Sequence, residues 1–406
     1  MDQRYYILLF EYFTVTEVFI STGLATGNPR YKVTQEQALK VALKATKHSY
    51  LSAQIRGVKD EDNVDQTLLL NRIYEASKIK TRYMAVPDFT PELKHPDDEM
   101  FYPGNDIYLL PVQQRLEKYK EVAVPLVTDV CQQAIAKAGI TVDSIHKLVV
   151  VSSTGFLGPS LDCELIKTLK LPRSTDRSLV GFMGCAAAMN GYRIAMDFVK
   201  AHPGKHALMV CVEISSVHST FKNVTNDCIL HAIFADGAAA CVLSCDTADV
   251  IPKGTLAIVD DHGWLMEGTE DGITLAINDD GISCTLAKNL PQYIAKNMGG
   301  FVDSFLTKNN LTRSAVDFWA IHPGGKRIIE EAQNGLSLSD DQASYSWEVL
   351  AQYGNMLSPS VMFVLEKIFK QHFADLEAGK KGFNLGLAFS FSPGVGAEGI
   401  MLRRVN

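Results

Sequence analysis

The sequence lacks the patterns that define several common protein classes. Its 8 cysteines include no C-x-x-C pair and are irregularly spaced, so we predict reduced thiols rather than a disulfide framework or a zinc site. Lys and Arg total 39 against 46 Asp and Glu, and the net charge of −7 provides no broad basic face for nucleic acid. A local basic pocket for an anionic ligand remains compatible with this charge. We therefore predict a cytoplasmic globular protein without a bound metal or resident cofactor.

Long uncharged apolar runs are also missing. The strongly apolar residues 5–13 (YYILLFEYF) contain Glu11, Glu17 follows shortly after, and Arg4 alone precedes them as a basic residue. No small-residue cleavage site clearly follows, so neither a signal peptide nor a membrane span is predicted. We treat residues 1–17 as an apolar N-terminal extension. A docking segment and a contact with a partner subunit both remain open.

The rest of the chain alternates between patterns typical of strands and patterns typical of helices. Residues 92–105 are polar and rich in turn formers, which indicates a surface loop. This alternation predicts an α/β fold with largely internal sheets. The predicted strands cover residues 20–25, 147–152, 206–214 and 383–391, with a further strand after the turn that begins at residue 234; the predicted helices cover residues 34–49, 64–77, 112–138, 186–200 and 358–373.

The chain is organised around residues 181–192 (GFMGCAAAMNGY), where Cys185 stands between a glycine turn and an alanine-rich helix. Residues 178–182 are predicted to form a short buried segment before it. A sulfur at a helix N-terminus lies near unpaired N–H groups and the positive end of the helix dipole, which favour the thiolate. Cys185 is therefore a candidate nucleophile, although a cysteine in an apolar run is often only a small buried filler.

An internal repeat links this cysteine to the second half of the chain. Residues 140–155 (ITVDSIHKLVVVSSTG) resemble residues 310–325 (NLTRSAVDFWAIHPGG), and this register pairs Ser152 with His322 at an offset of 170. The same offset pairs Cys185 with Asn355. We therefore divide the chain into an N-terminal half (18–250) with the cysteine and a C-terminal half (251–406) with the histidine and asparagine. A duplicated unit packed about a pseudo-twofold axis would bring the three residues together.

This trio has a coherent chemistry. A Cys185 thiolate paired with a His322 imidazolium can accept an acyl group. The imidazole and the Asn355 amide can donate hydrogen bonds to a thioester carbonyl, which stabilises an enolate or a tetrahedral intermediate. We therefore predict carbon–carbon bond formation by Claisen condensation.

Several motifs around these residues resemble the type III polyketide synthases, the chalcone synthase-like enzymes of the thiolase superfamily. The resemblance runs from about residue 20 to the C-terminus. The segments that carry it are FMGCAAAMNG, FADGAAA, WAIHPGG, YGNMLSPSV and FSFSPGVGAEGIMLR.

The resemblance implies a homodimer with the thiolase fold, a duplicated five-layered αβαβα architecture. It implies that an acyl-CoA starter loads onto Cys185, that malonyl-CoA extends it, and that the chain then cyclises. His322 would be the base partner and oxyanion donor, and Asn355 the second donor. Phe234 falls where the family has a gatekeeper phenylalanine. The CoA thioesters would be substrates.

Departures from the plant enzymes concern the cavity. Cys284 stands where a second gatekeeper phenylalanine is expected, His218 replaces a small threonine, and Leu357 replaces a serine. Gly158 stands where the family has a methionine that reaches across the dimer interface. These changes favour a non-aromatic starter and a phloroglucinol, resorcinol or pyrone product. Whether Cys284 is a passive wall residue or a thiol that holds an acyl chain stays open.

Two further residues are assigned to substrate binding. Thr154, after the 147–152 strand, is assigned to the cavity, and Arg72 is a plausible counterpart of a CoA-contacting basic residue. Lys78 and Lys80 could compensate for neighbouring lysines of the family that appear here as Leu69 and Ala76. Phe234 and His218 also permit the simpler interpretation that they are core residues.

Other functions remain to be weighed. Residues 322–325 (HPGG) argue against an initiating ketosynthase that uses acyl carrier protein, because the histidine motif of those enzymes carries an asparagine that is absent here. A thiolase would need a second cysteine near the C-terminus, whereas the last one is Cys284, and a hydroxymethylglutaryl-CoA synthase would need a glutamate base. A non-catalytic acyl-binding protein on the same scaffold would release no burst of CoA from acyl-CoA.

Overall fold

Helices and strands alternate through both halves of the chain in the computed structural model, which describes residues 16–20, 23–55, 65–90, 101–102, 110–247, 250–279 and 281–405. The helices are α1 (Gln35–Ile55), α2 (Thr67–Ala76), α3 (Val112–Ala138), α4 (Leu161–Thr168), α5 (Ala187–Ala201), α6 (Thr225–Ile233), α7 (Leu290–Lys308), α8 (Lys326–Leu336), α9 (Ser344–Tyr353) and α10 (Ser358–Glu377). The strands are β1 (Thr16–Ile20), β2 (Ala25–Gly27), β3 (Tyr31–Thr34), β4 (Thr81–Met84), β5 (Ile145–Val151), β6 (Asp176–Val180), β7 (His206–Ile214), β8 (Asp236–Thr247), β9 (Leu256–Leu265), β10 (Ile273–Asn278), β11 (Gly281–Leu286), β12 (Phe318–Ile321), β13 (Leu385–Ser392) and β14 (Gly396–Arg404).

The main sheet has ten strands and connects the two halves. Its order is β12-β13-β14-β9-β1-β8-β7-β5-β6, with β2 also paired to β8. Strand β1 pairs antiparallel with both β8 and β9 and so joins the halves. Two two-stranded antiparallel sheets, β3-β4 and β10-β11, lie outside this sheet.

Both halves repeat one topology. Strand β5 pairs in parallel with β7, which pairs antiparallel with β8; likewise β12 pairs in parallel with β13, which pairs antiparallel with β14. In each half a buried helix, α5 or α10, precedes the second parallel strand. The 170-residue repeat of the sequence therefore corresponds to a repeated structural unit.

The side chains of the strands alternate between separate cores. In β7, Met209 packs in a central core with α5 and α10, whereas Leu208 packs in an outer core with α3. In β12, Ala320 faces the central core and Trp319 faces a second outer core with α7 and α8. Because strand residues alternate between the two faces, each half of the sheet is covered by helices on both sides. This arrangement is the predicted αβαβα layering.

Most predicted elements are found, and two predictions are wrong. Helix 112–138 and strand 206–214 have the predicted bounds. Residues 20–25 do not form one strand: Ile20 ends β1 opposite Leu243, and Ala25 begins β2 opposite Ala240. Gly23 and Leu24, which precede β2, belong to neither strand.

The second wrong prediction concerns residues 178–182, which are not a buried segment. They overlap β6, the outermost strand of the sheet, in which only Val180 is buried. An edge strand has one sheet neighbour, and here its side chains remain largely exposed.

Two other predictions fall largely outside the described residues. The N-terminal extension 1–17 is described only at residues 16–17, and the loop 92–105 only at Phe101 and Tyr102. Among the helices that the structure describes, none combines the length and apolar character needed to cross a membrane.

Candidate active site

Cys185 lies in a single 3-10 turn, Gly184–Ala186, that leads directly into α5. Gly184 has a φ of 54°, a left-handed conformation that glycine adopts without a Cβ clash. Its N–H donates to Ser153 Oγ at 3.0 Å, and Ser390 Oγ donates to the Cys185 carbonyl at 2.7 Å. Hydrogen bonds from both halves of the chain therefore fix the turn that carries the sulfur.

Asn355 occupies the equivalent place in the second half. Gly354 before it also has a positive φ, 69°, and a Cβ there would lie 2.8 Å from the Arg82 side chain. Asn355 forms a backbone bridge with Phe234, with its N–H donating to the Ile233 carbonyl at 2.8 Å. The asparagine is therefore held directly beside the predicted gatekeeper.

The hydrogen bonds of the Asn355 amide determine its orientation. Oδ1 accepts from the Leu357 N–H at 2.8 Å, and Nδ2 donates to the Gly324 carbonyl at 3.1 Å. Nδ2 lies 3.9 Å from Cys185 Sγ. An amide nitrogen carries two hydrogens, so Nδ2 can donate one to the Gly324 carbonyl and the other, in a long contact, to Cys185 Sγ.

His322 follows β12 and is 1% exposed. The backbone N–H of His322 donates to the Phe389 carbonyl at 3.0 Å. A Cβ at Gly324 would lie 3.2 Å from Nε2 of the imidazole. Neither imidazole nitrogen has a hydrogen-bond partner among the described residues. A buried imidazole without a partner is unusual and marks a group that can exchange a proton with a ligand.

The three side chains line one cavity of about 50 Å³. Apart from them its walls are mainly apolar, including Ile273, Leu290 and Phe391. The structure therefore brings Cys185, His322 and Asn355 together from three distant parts of the sequence. Hydrogen-bond donors in such an apolar site act more strongly on a developing negative charge than they would in water.

A second cavity of about 100 Å³ shares a wall with the first. Phe234, Cys284 and Leu357 line both cavities, and so does Leu275, which the sequence interpretation did not single out. Thr154 and His218 line only the second cavity. Five of the predicted substrate-binding residues therefore surround this pair of cavities.

Leu357 adds a backbone feature to the shared wall. Its φ is 52°, which is strained for a side chain of this size. Its N–H is the donor to Asn355 Oδ1. Strained residues of this kind cluster at functional sites, and this one connects the wall of the cavity to the catalytic asparagine candidate.

The hairpin β10-β11 forms the opposite part of the shared wall. Leu275 and Cys284 are cross-strand partners in it. Asn226 on α6 holds the free edge of β11, with Nδ2 donating to the Cys284 carbonyl at 2.7 Å and Oδ1 accepting from the Leu286 N–H at 3.2 Å. A side chain thus replaces a neighbouring strand at this edge.

His218 fixes the same edge. Its Nε2 donates to the Thr154 carbonyl at 2.7 Å, and its Nδ1 accepts from the Ile282 N–H at 3.3 Å. Burial lowers the pKa of His218 to about 4, so the neutral tautomer required by these contacts persists near pH 7. His218 therefore both lines the cavity and positions its wall.

The electrostatics of the nucleophile require a correction. Burial raises the pKa of the Cys185 thiol above its usual range, and burial lowers the pKa of His322 to about 3. Removal of the sulfur from water disfavours the thiolate that its place before α5 was predicted to favour. Burial therefore favours the neutral thiol and the neutral imidazole in this cavity.

A buried carboxyl group lies behind the second cavity. Glu213 accepts hydrogen bonds from Thr154 Oγ1 and Ser358 Oγ, each at 2.7 Å, and from the Ser153 N–H. Burial raises its pKa to about 7. The Thr154 hydroxyl is engaged by this carboxyl group, and Glu213 connects the cavity wall to the start of α10.

Two predicted binding residues do not line either cavity. Gly158 is exposed, and a Cβ there would meet no atom within 4 Å. Arg72 is exposed on α2. Their predicted contacts, with a partner subunit and with CoA, involve molecules outside this single chain.

Sequence reasoning missed several residues that shape the site. Leu275 and Asn226 belong to ordinary strand and helix patterns, so only their tertiary placement distinguishes them. Ser390 lies in β13, and its hydroxyl donates to the Cys185 carbonyl. No group of three or more His, Cys, Asp or Glu side chains in the described part of the chain is arranged to hold a metal ion.

Both halves of the chain match known proteins. Residues 21–247 match a family model for the N-terminal domain of chalcone and stilbene synthases, and residues 259–406 match the model for the C-terminal domain. The chain is 38% identical over 397 residues to the alpha-pyrone synthesis polyketide synthase-like Pks18 of Mycobacterium tuberculosis, covering 95% of this chain and 91% of that protein.

Solved structures resemble the chain as a whole. PKS-I from the brown alga Ectocarpus siliculosus is 60% identical, with a TM-score of 0.90 over 96% of this chain and 99% of that one. Tetrahydroxynaphthalene synthase from Streptomyces coelicolor, a bacterial type III polyketide synthase, has a TM-score of 0.78 over 96% of this chain and 99% of that one. At 24% identity, that second likeness concerns the fold alone.

Proposed function

The chain belongs to the chalcone and stilbene synthase family, the type III polyketide synthases, and we propose that it loads an acyl-CoA starter onto Cys185 and extends it with malonyl-CoA. The extended chain then cyclises to a product of the phloroglucinol, resorcinol or pyrone type. The observation that carries this proposal is the cavity shared by Cys185, His322 and Asn355. The CoA thioesters are substrates, and the reaction uses no resident cofactor.

In the loading step, Cys185 Sγ attacks the thioester carbonyl while neutral His322 accepts its proton. The raised thiol pKa and the lowered imidazole pKa support a transfer coupled to the attack. The Asn355 Nδ2 hydrogen that is not used by Gly324 stabilises the oxyanion. The CoA thiolate then leaves, and the imidazolium returns the proton to it.

In the extension step, malonyl-CoA loses carbon dioxide next to the acylated cysteine. The resulting enolate carries its charge on the thioester oxygen, where His322 and Asn355 are the donors available in this cavity. The enolate carbon attacks the Cys185 thioester and forms the new carbon–carbon bond. Cys185 leaves as a thiolate and can accept the lengthened chain again.

The shared wall selects the starter. Cys284 places a small side chain where an aromatic ring would narrow the passage, whereas Leu275 and Leu357 fill part of the space with branched aliphatic groups. Cavities of about 100 and 50 Å³ with such walls favour short aliphatic starters over aromatic ones. Arg72, exposed on α2, would contact the phosphates of CoA.

We also propose a cytoplasmic homodimer. Phe156, two residues before Gly158, is 61% exposed, and Leu179 on the edge strand β6 is 55% exposed in the single chain. Large exposed apolar groups of this kind typically mark interfaces. Light scattering after size exclusion should give twice the chain mass of 44.7 kDa. A monomer at micromolar concentration would contradict this part of the proposal.

The decisive experiment incubates the purified enzyme with a panel of acyl-CoAs and carbon-13 labelled malonyl-CoA, followed by mass spectrometry. Labelled polyketides should form with acetyl or other aliphatic starters, and Cys185→Ala should abolish them. Cys163→Ala, which alters a half-exposed thiol outside both cavities, is the matched control and should retain activity. Product formation by the Cys185 variant would refute the proposed nucleophile.

A further inference from the structure

Two free thiols face the same cavity. Cys185 and Cys284 both line the 50 Å³ cavity, and neither forms a disulfide. Cys185 lines only this cavity, whereas Cys284 also lines the 100 Å³ cavity. The loading chemistry described above uses only the first of these thiols.

The position of Cys284 is well defined. It lies on β11 opposite Leu275, and the Asn226 amide holds its carbonyl at 2.7 Å. The residue is 8% exposed and lines both cavities. A reactive group in this place is accessible to a substrate but shielded from bulk solvent.

The cavity also contains a base whose ring nitrogens have no hydrogen-bond partner among the described residues. This base, His322, lines the cavity together with both cysteines. Burial raises the pKa of Cys284 to about 12, and it raises the pKa of Cys185 as well. Because burial favours the neutral thiol at both positions, either sulfur needs a proton acceptor when it attacks a thioester carbonyl.

We propose that Cys284 is a second acyl-carrying residue that accepts the acyl group of Cys185 by thioester exchange. Cys284 Sγ attacks the carbonyl carbon of the Cys185 thioester, a new carbon–sulfur bond forms, and the bond to Cys185 Sγ breaks. His322 takes the proton of the attacking thiol and returns it to the departing sulfur. The step needs no oxidant or other reactant, and it rests on the proposed loading of Cys185.

The exchange moves the acyl carbonyl to the wall common to both cavities. An acyl chain on Cys284 can extend into the larger cavity, which Cys185 does not line. Cys185 then becomes free to accept a second acyl group from CoA. The protein would therefore hold two acyl groups at once and use Cys284 as a storage position during extension.

Rapid-quench mass spectrometry of the intact protein tests this directly. The purified enzyme is mixed with acetyl-CoA without malonyl-CoA, quenched in acid, weighed and digested to locate the label. We expect one acetyl group on Cys185 at early times and a second on Cys284 later. Cys284→Ala should stop at one, and Cys185→Ala should carry none.

Cys163→Ala is the control for acylation of accessible thiols and should still reach two acetyl groups. Saturation of the wild-type protein at one group on Cys185 would overturn the inference while leaving the proposed function intact. Labelling of Cys284 in Cys185→Ala at the wild-type rate would also overturn it, because loading would then be direct. An enzyme with no label on Cys185 and no polyketide product would instead refute the proposed function.

Discussion

Replacing His322 by glutamine isolates the part of the mechanism that depends on the buried base. Glutamine keeps a polar side chain of similar length but cannot accept the Cys185 proton. Because burial holds the thiol pKa above its usual range, the thiolate of this variant must form by direct ionisation in an apolar cavity. General base catalysis typically contributes roughly 10²- to 10⁴-fold, so acyl loading should slow by about that factor.

The pH dependence gives the sharper readout. Below the thiol pKa the thiolate fraction rises about tenfold per pH unit, so loading by His322→Gln should rise about tenfold per unit between about pH 6 and 9. In the wild type the His322 pKa of about 3 leaves the base neutral over this whole range, and loading should be nearly flat. Rapid-quench mass spectrometry with acetyl-CoA measures both profiles.

His262→Gln is a matched control, because this histidine lies between Phe301 and Phe305 and lines neither cavity. It should retain the rate and profile of the wild type. A His322→Gln enzyme that loads acetyl at the wild-type rate, with a flat profile, would show that sulfur does not pass its proton to this imidazole.

Four further changes test other parts of the site. Asn355→Ala removes an oxyanion donor and should reduce carbon dioxide release from malonyl-CoA about 10²- to 10³-fold, and unchanged release would remove this residue from the mechanism. Cys284→Phe narrows the shared wall and should shift the starter profile to smaller acyl groups; an unaltered profile on competition between acyl-CoAs would refute this role. Asn226→Ala leaves two backbone groups of β11 unpaired, which should cost about 1–3 kcal/mol in denaturant unfolding and broaden the starter profile, whereas the exposed Asn278→Ala should do neither. Burial raises the pKa of Glu213 from 4.5 to about 7, so between these pH values the folded state holds a proton that the unfolded state releases. The free energy of unfolding should therefore fall by about 3 kcal/mol as the pH rises from 4.5 to about 7. Glu213→Gln should remove this fall in thermal melts, and an identical pH dependence in the variant would contradict the assignment.

Local sequence patterns predicted the bounds of a helix or strand correctly where residues within or next to that element determine them. Helix α3 has the predicted bounds because Pro111 precedes it and Gly139 ends it in a left-handed conformation. Strand β7 is a continuous apolar run because both of its faces are buried. By contrast, residues 20–25 were predicted to form one strand, but Ile20 and Ala25 belong to two different strands that pair with β8.

The sequence predicted those parts of the site that the internal repeat places at equivalent positions in the two halves of the chain. The 170-residue offset relates the Gly184-Cys185 and Gly354-Asn355 turns. In the structure both glycines have a positive φ, and each turn precedes a central helix. The environment of these groups was not predictable, because desolvation depends on side chains remote in sequence. The Asn226 contact with β11 shows the same limit, since 58 residues separate it from Cys284.

The most direct test of the central claim is to identify the residue that carries the first acyl group. The enzyme is mixed with a stoichiometric amount of labelled acetyl-CoA, quenched within milliseconds and digested, and the labelled peptide is sequenced by tandem mass spectrometry. The account predicts the label on Cys185, with CoA released in equal amount. A first label on any other residue, or rapid CoA release without acylated protein, would contradict it.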